Sequence, residues 1–212
     1  MEPTGVALEA AGFYGFVGRV VWWILRLFGI TNEPNVIVYE PYNNAKPEEP
    51  IVVWHVRAAN VRRTRWKNRW IIPRPAKECI VDLVFRQLDG RIVLATQGRW
   101  ESDVGPTEKM DLVYGDREKD LPVICRATKD ALFRTTTARD WVSPIEKEVA
   151  HVMGVRFCVH SDASERLSPG QYWVAVIVKS NGKTLTTGNF LLSIPEGGLD
   201  GFILQDPTTI GE

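Results

Sequence analysis

The chain has 212 residues, enough for one medium domain with extensions or for two small ones. Its 26 Lys and Arg balance 26 Asp and Glu, so the overall basic charge of most nucleic-acid domains is missing, while the apolar content suits an ordinary core. The three cysteines, Cys79, Cys125 and Cys158, fit no Cys-x-x-Cys metal or redox spacing and read as half-buried thiols of a reducing compartment.

The first element is the apolar run GFYGFVGRVVWWILRLFGI, residues 12–30. At about 100° per residue, a helix here puts Arg19 and Arg26 on one face with Gly12 and Gly15. The opposite face collects Phe13, Val17, Val20, Val21, Ile24 and Phe28. The run is just long enough to span a bilayer, but two arginines inside it each cost on the order of a few kcal/mol near the midplane. Phe13, Phe16, Trp22, Trp23 and Phe28 suit the headgroup level, where Arg19 and Arg26 meet anionic lipid. The expectation is an N-terminal amphipathic or membrane helix over 1–31, with packing on the protein itself or on a partner as the alternative. It lacks the basic start and the small-residue cleavage pattern of a secretory signal. Gly29 caps it and Pro34 prevents its continuation.

Residues 32–50 read as a linker holding one short strand, NVIVYE at 35–40, followed by the Pro-rich PYNNAKPEEP at 41–50. A β domain is expected over 51–195. Val52, Trp54 and Val56 alternate with Val53, His55 and Arg57. Strands follow at 80–86 and 92–96, joined by a hairpin at Asp89-Gly90, with shorter ones at 112–114, 122–126, 132–137 and 155–159. SPIEKEVAHV at 143–152 has a capping Ser143 and a first-turn Pro144 and suits a short helix. The strongest strand, 171–180, leads through Asn181-Gly182, a type I′ turn, into 185–194. About eight short strands with few helical periods indicate an antiparallel β-sandwich. The Gly- and Pro-rich tail, 196–212, reads as a flexible end in which Phe202, Ile203 and Leu204 are able to dock.

HVRAAN at 55–60, PAKECIVDLVF at 75–85, the D-G hairpin and GRW at 98–100 resemble a group of uncharacterised prokaryotic proteins. These have an N-terminal hydrophobic segment and a β domain with an Asn…Ala-x-x-Cys pattern, matched here by Asn60, Ala76 and Cys79. LSPGQYWVAVIVKSNGK, late in the chain, resembles the penultimate strand of immunoglobulin-like domains. The resemblance covers roughly residues 35–195 and implies an immunoglobulin-like sandwich but no activity.

Between Arg57 and Lys77 there are eight basic residues and no acid. Within this insert Arg62, Arg63, Arg65, Lys67 and Arg69 interleave with Trp66 and Trp70, a pattern for an anionic ligand. The balanced total charge and the neighbouring aromatic helix favour lipid headgroups over nucleic acid. The positive-inside trend puts the insert on the cytoplasmic side.

No catalytic motif is present: His55, His151 and His160 lack metal-ligand spacing, and no nucleophile elbow or phosphate loop appears. His55 and His160 read as partly exposed strand residues. Asp111, Asp116, Glu118 and Asp120 are interleaved with Arg117 and Lys119 and read as a charged turn rather than a calcium site. The sequence therefore predicts a non-enzymatic, membrane-associated interaction module without metal or cofactor. It would be peripheral or anchored by one helix. Its partners would be lipid or a protein at the helix and an anionic lipid or nucleic acid at the insert. The alternatives are a nucleic-acid-binding β domain using 57–77 and a subunit packed into an oligomer through the helix.

Overall fold

The structure is a computed structural model that describes residues 17–21, 23–24, 32–43, 51–62, 71–102, 105–127, 150–154 and 165–209. Eleven antiparallel strands form two sheets. The first runs β1 (Val36–Asn43), β2 (Ile51–Asn60), β6 (Lys119–Ala127), β7 (Ala150–Val152), β8 (Arg166–Leu167). The second runs β11 (Ile203–Gln205), β10 (Lys183–Ile194), β9 (Gly170–Ser180), β3 (Ala76–Gln87), β4 (Ile92–Gln97), with β5 (Met110–Leu112) paired to the start of β3.

Both sheets feed one core. The period-two pattern sends Val56, Ala58, Leu121 and Val123 inward from the first sheet, and Leu83, Phe85, Val174 and Val176 from the second. Each such Val, Leu or Phe side chain removed from water contributes about 1.5–3 kcal/mol. Trp100 is fully buried among them, and its indole Nε1 donates to the Cys79 carbonyl at 2.8 Å, which satisfies its one polar atom. Two close approaches tie the sheets together. Gly98 and Gly154 form an isolated antiparallel bridge, and Gly188 of β10 lies against Val38 of β1.

Local chemistry explains the turns. Asn181 and Gly182 have φ of 49° and 74°, the two positive values that a type I′ hairpin needs. Pro122 falls inside β6, where a missing N–H would normally break a ladder. It sits at the register shift opposite His55, and β7 pairs only with Ile124 and Cys125 beyond it.

Several expectations change. Residues 150–152 are a strand, not the end of a helix, because β6 offers them an open ladder; 143–149 lie outside the described residues, as do 132–137 and 155–160. Strand β1 extends through Pro41, Tyr42 and Asn43 into the stretch read as linker, past a bulge at Glu40 with φ of 45°. The tail is built into the second sheet: Leu204 pairs with Leu192, Phe202 and Leu204 are buried, and Ile203 stays exposed. The Trp54 indole, donating to the Phe202 carbonyl at 2.9 Å, fastens that tail to the first sheet.

Candidate functional site

The insert between β2 and β3 begins and ends at one point, and Asn60 is the reason. Its side chain is buried at the end of β2, where unpaired amide atoms are costly. The Asn60 Oδ1 accepts from the Asn35 backbone N–H at 3.0 Å. Its Nδ2 donates to the carbonyls of Arg74, at 2.8 Å, and Leu112, at 3.1 Å. Asn35 and Val61 pair through their backbones, and the Asn35 side chain adds a bond to the Val61 carbonyl at 3.2 Å. Arg74 is bound to Asn32 twice, from its backbone N–H at 2.7 Å and from Nε to Oδ1 at 2.9 Å. The chain leaving the N-terminal segment and both ends of the basic insert therefore meet in one hydrogen-bonded knot.

The surface around this knot is apolar and basic together. Ile72 is 60% exposed beside the buried Pro73, and Val113 is also exposed. Arg62 and Arg74 are exposed, with the Arg62 guanidinium 5.2 Å from the centre of the Tyr114 ring. In the N-terminal segment, residues 17–21, 23 and 24 are helical, and every one is exposed: Trp23 by 63%, along with Val17, Val20, Val21, Ile24 and Arg19. Among the described residues no helix is long and apolar enough to cross a membrane. Phe13, Phe16, Trp22, Arg26 and Phe28 of the helix lie outside the described residues, as do Arg63, Arg65, Trp66, Lys67, Arg69 and Trp70 of the insert.

A second polar cluster occupies the outer face of the first sheet. Tyr39, Arg57 and Asp120 form one cross-strand row, and Tyr42, His55 and Pro122 form the next. Arg57 reaches Glu40 at 2.8 Å and Glu118 at 3.5 Å, and lies 4.7 Å over the Tyr42 ring. Tyr39 donates to Glu118, and Tyr42 donates to Asp120. Burial, and then the hydrogen bond to Glu118, pushes the Tyr39 phenol up to about 12; burial and the Asp120 bond raise Tyr42 as well. A depression of about 480 Å³ lies alongside, lined by Arg57, Asp116, Arg117, Glu118 and Asp120. Of these acids Glu118 pairs with Arg57, and among the described residues no group of three or more His, Cys, Asp or Glu side chains is placed to hold a metal.

His55 departs from expectation. It is buried, not partly exposed, because Tyr42 stacks on its ring at 5.2 Å and Glu101 reaches its Nε2 at 3.2 Å. That bond holds the Glu101 carboxyl below the usual carboxylate range, against its partial burial. Cys79 and Cys125 are fully buried free thiols, raised by burial to about 11 and about 12, which keeps them protonated and unreactive; Cys158 lies outside the described residues.

Sequence reading found the insert and the helix but not what joins them. Asn32, Asn35 and Ile72 carry no motif; the one signal was the turn-forming TNEPN before β1. Comparison with protein-family models, with curated proteins and with solved structures gives no match.

Proposed function

We propose that the chain is a non-catalytic, membrane-associated interaction module: an immunoglobulin-like β domain held at the cytoplasmic face of a membrane by its N-terminal helix and its basic insert. The observation that carries this reading is the pair of hydrogen bonds that Arg74 donates to Asn32. It holds Asn32, which follows the N-terminal segment in the chain, against Arg74 at the foot of the insert, which would let segment and insert meet one bilayer surface together. Exposed Ile72 among arginines fits an interface where apolar and anionic groups lie side by side, and a nucleic acid has no use for it.

The immunoglobulin-like part rests on two features. The order β10-β9-β3-β4 follows the sheet of that fold containing its last two strands. Tyr172, at the start of β9, donates to the Ser168 carbonyl at 2.9 Å, as a tyrosine corner does. The first sheet departs from the pattern, because the outer strands β7 and β8 follow β6 in the chain rather than precede it.

The test is co-sedimentation of the full chain with vesicles of zwitterionic lipid, with and without anionic lipid. The chain pellets with anionic vesicles, Arg62→Glu weakens binding several-fold at about 1 kcal/mol per basic residue, and Trp23→Asp or Ile72→Asp weakens it further. Binding untouched by all three substitutions overturns the reading.

A further inference from the structure

The exposed apolar residues fall into two groups. One comprises the exposed helical residues of the N-terminal segment and the residues at the knot, Ile72 and Val113. The other lies toward the opposite end of the second sheet and is unrelated to the lipid-facing reading: Leu88, Ile92, Val93, Trp173 and Ile203 are exposed by between 37% and 57%. Trp173 stands on the outer face of β9, between Leu191 of β10 and Arg86 of β3, and Arg86 continues the row to Ile92 of β4. Arg86 is exposed, and among the described residues it has neither an ion pair nor a hydrogen bond through its side chain. Two residues along β10, β9 and β3, and three along β4 across its register shift, the next outer row is Asn189, Ala175, Val84 and Ala95; two further along lie Thr187, Ile177, Asp82 and Gln97. The face is therefore apolar along its middle, with Arg86, unpaired among the described residues, at one end and Asp82, ion-paired with Lys179, at the other.

We propose that this outer face binds a second copy of the chain, sheet against sheet, about a two-fold axis that lies across the strands over Val84 and Ala175. That operation places residues two before the axis over residues two after it. Arg86 then meets Asp82 of the second copy, Trp173 meets Ile177, and Leu191 meets Thr187. The Lys179 backbone falls opposite Gln171, and its ammonium shares the Asp82 carboxylate, which has two oxygens, with Arg86 of the second copy. Charge complementarity of the face with itself selects a second copy over an unrelated protein. An aromatic ring and an arginine are among the residue types that dominate interface energetics.

The extent of the face sets the strength. Four strands about 4.8 Å apart and about eight residues long give a footprint of roughly 500 Å² per copy, below the roughly 800 Å² of a standard stable interface. The association is therefore reversible and concentration-dependent.

Sedimentation velocity of the full chain in a mild detergent, without lipid, tests this. Wild type shifts with rising concentration from the 24.0 kDa monomer toward twice that mass. Trp173→Glu and Arg86→Glu each weaken self-association by at least about tenfold. Combining Arg86→Glu with Asp82→Arg restores it, while Asp82→Arg alone does not dimerise; circular dichroism confirms that each variant folds. A wild type that stays monomeric at all concentrations overturns the proposal and leaves the face to a different protein. A dimer indifferent to both Trp173→Glu and Arg86→Glu assembles elsewhere, through the N-terminal helix, and overturns it equally. Vesicle binding is scored separately, so either reading can fail without the other.

Discussion

Arg74 closes on Asn32 through two hydrogen bonds, one from the backbone and one from the guanidinium, 42 residues apart in sequence. The pairing makes the base of the basic insert a fixed platform rather than a free loop. Asn60 completes it by binding the Arg74 carbonyl from beneath.

Asn60→Ala leaves the Asn35 N–H and the carbonyls of Arg74 and Leu112 without their side-chain partner inside the protein. The expected cost is about 1–3 kcal/mol, read by denaturant unfolding. Arg62 and Arg74 lose their fixed spacing, so binding to anionic vesicles falls as well. A stability loss within a few tenths of a kcal/mol shows that the knot does not hold the insert.

Gly154→Ala tests the contact between the two sheets. A Cβ there stands 2.9 Å from the Gln97 carbonyl oxygen and 3.1 Å from the Thr96 hydroxyl, and the backbone partner cannot yield cheaply. We expect a loss of roughly 1–3 kcal/mol. Gly18→Ala is the contrast: nothing lies within 4 Å of its Cβ, and alanine favours the helix, so unfolding of the β domain is unchanged. Equal effects at the two glycines contradict the close approach.

Alkaline titration reports on the outer face of the first sheet. The Tyr39 phenol is raised to about 12 by burial and by its bond to Glu118. A raised acid keeps its proton in the folded state after the unfolded chain has lost it. Its stabilisation is present in full below the ordinary tyrosine value of about 10 and vanishes as pH climbs through about 12. Ultraviolet titration of phenolate absorbance should show late ionisation of both Tyr39 and Tyr42; Tyr39→Phe lowers the late amplitude, and Glu118→Gln shifts the Tyr39 step downward. A late amplitude unchanged in Tyr39→Phe shows that Tyr39 titrates with the ordinary phenols.

Much of the β domain was legible because strand pattern and turn chemistry are local. Val81, Leu83 and Phe85 alternate inward, and Asn-Gly and Asp-Gly admit few backbones other than the tight turns found. The alternation failed where a neighbour covers the outer face. His55 has the position of an exposed residue, yet Tyr42 from a separate strand and Glu101 from beyond β4 bury it. Residues 150–152 have helix-compatible composition, and the ladder offered by β6 overrides it.

The sequence by itself determined the longer strands β2, β3, β4, β6, β9 and β10, the two tight hairpins, the aromatic–basic character of the N-terminal segment and the basic character of the insert, since each depends on residues within a few positions of one another. Only the tertiary structure decided that Asn32, Asn35, Asn60 and Arg74 meet, that the tail completes the second sheet through Leu204, and that Arg86 and Asp82 stand at equal distances from Val84 on one open face. Those relations are set by which strands pair and in what register, and burial of one shared core chooses the pairing over distances at which local preference carries no information.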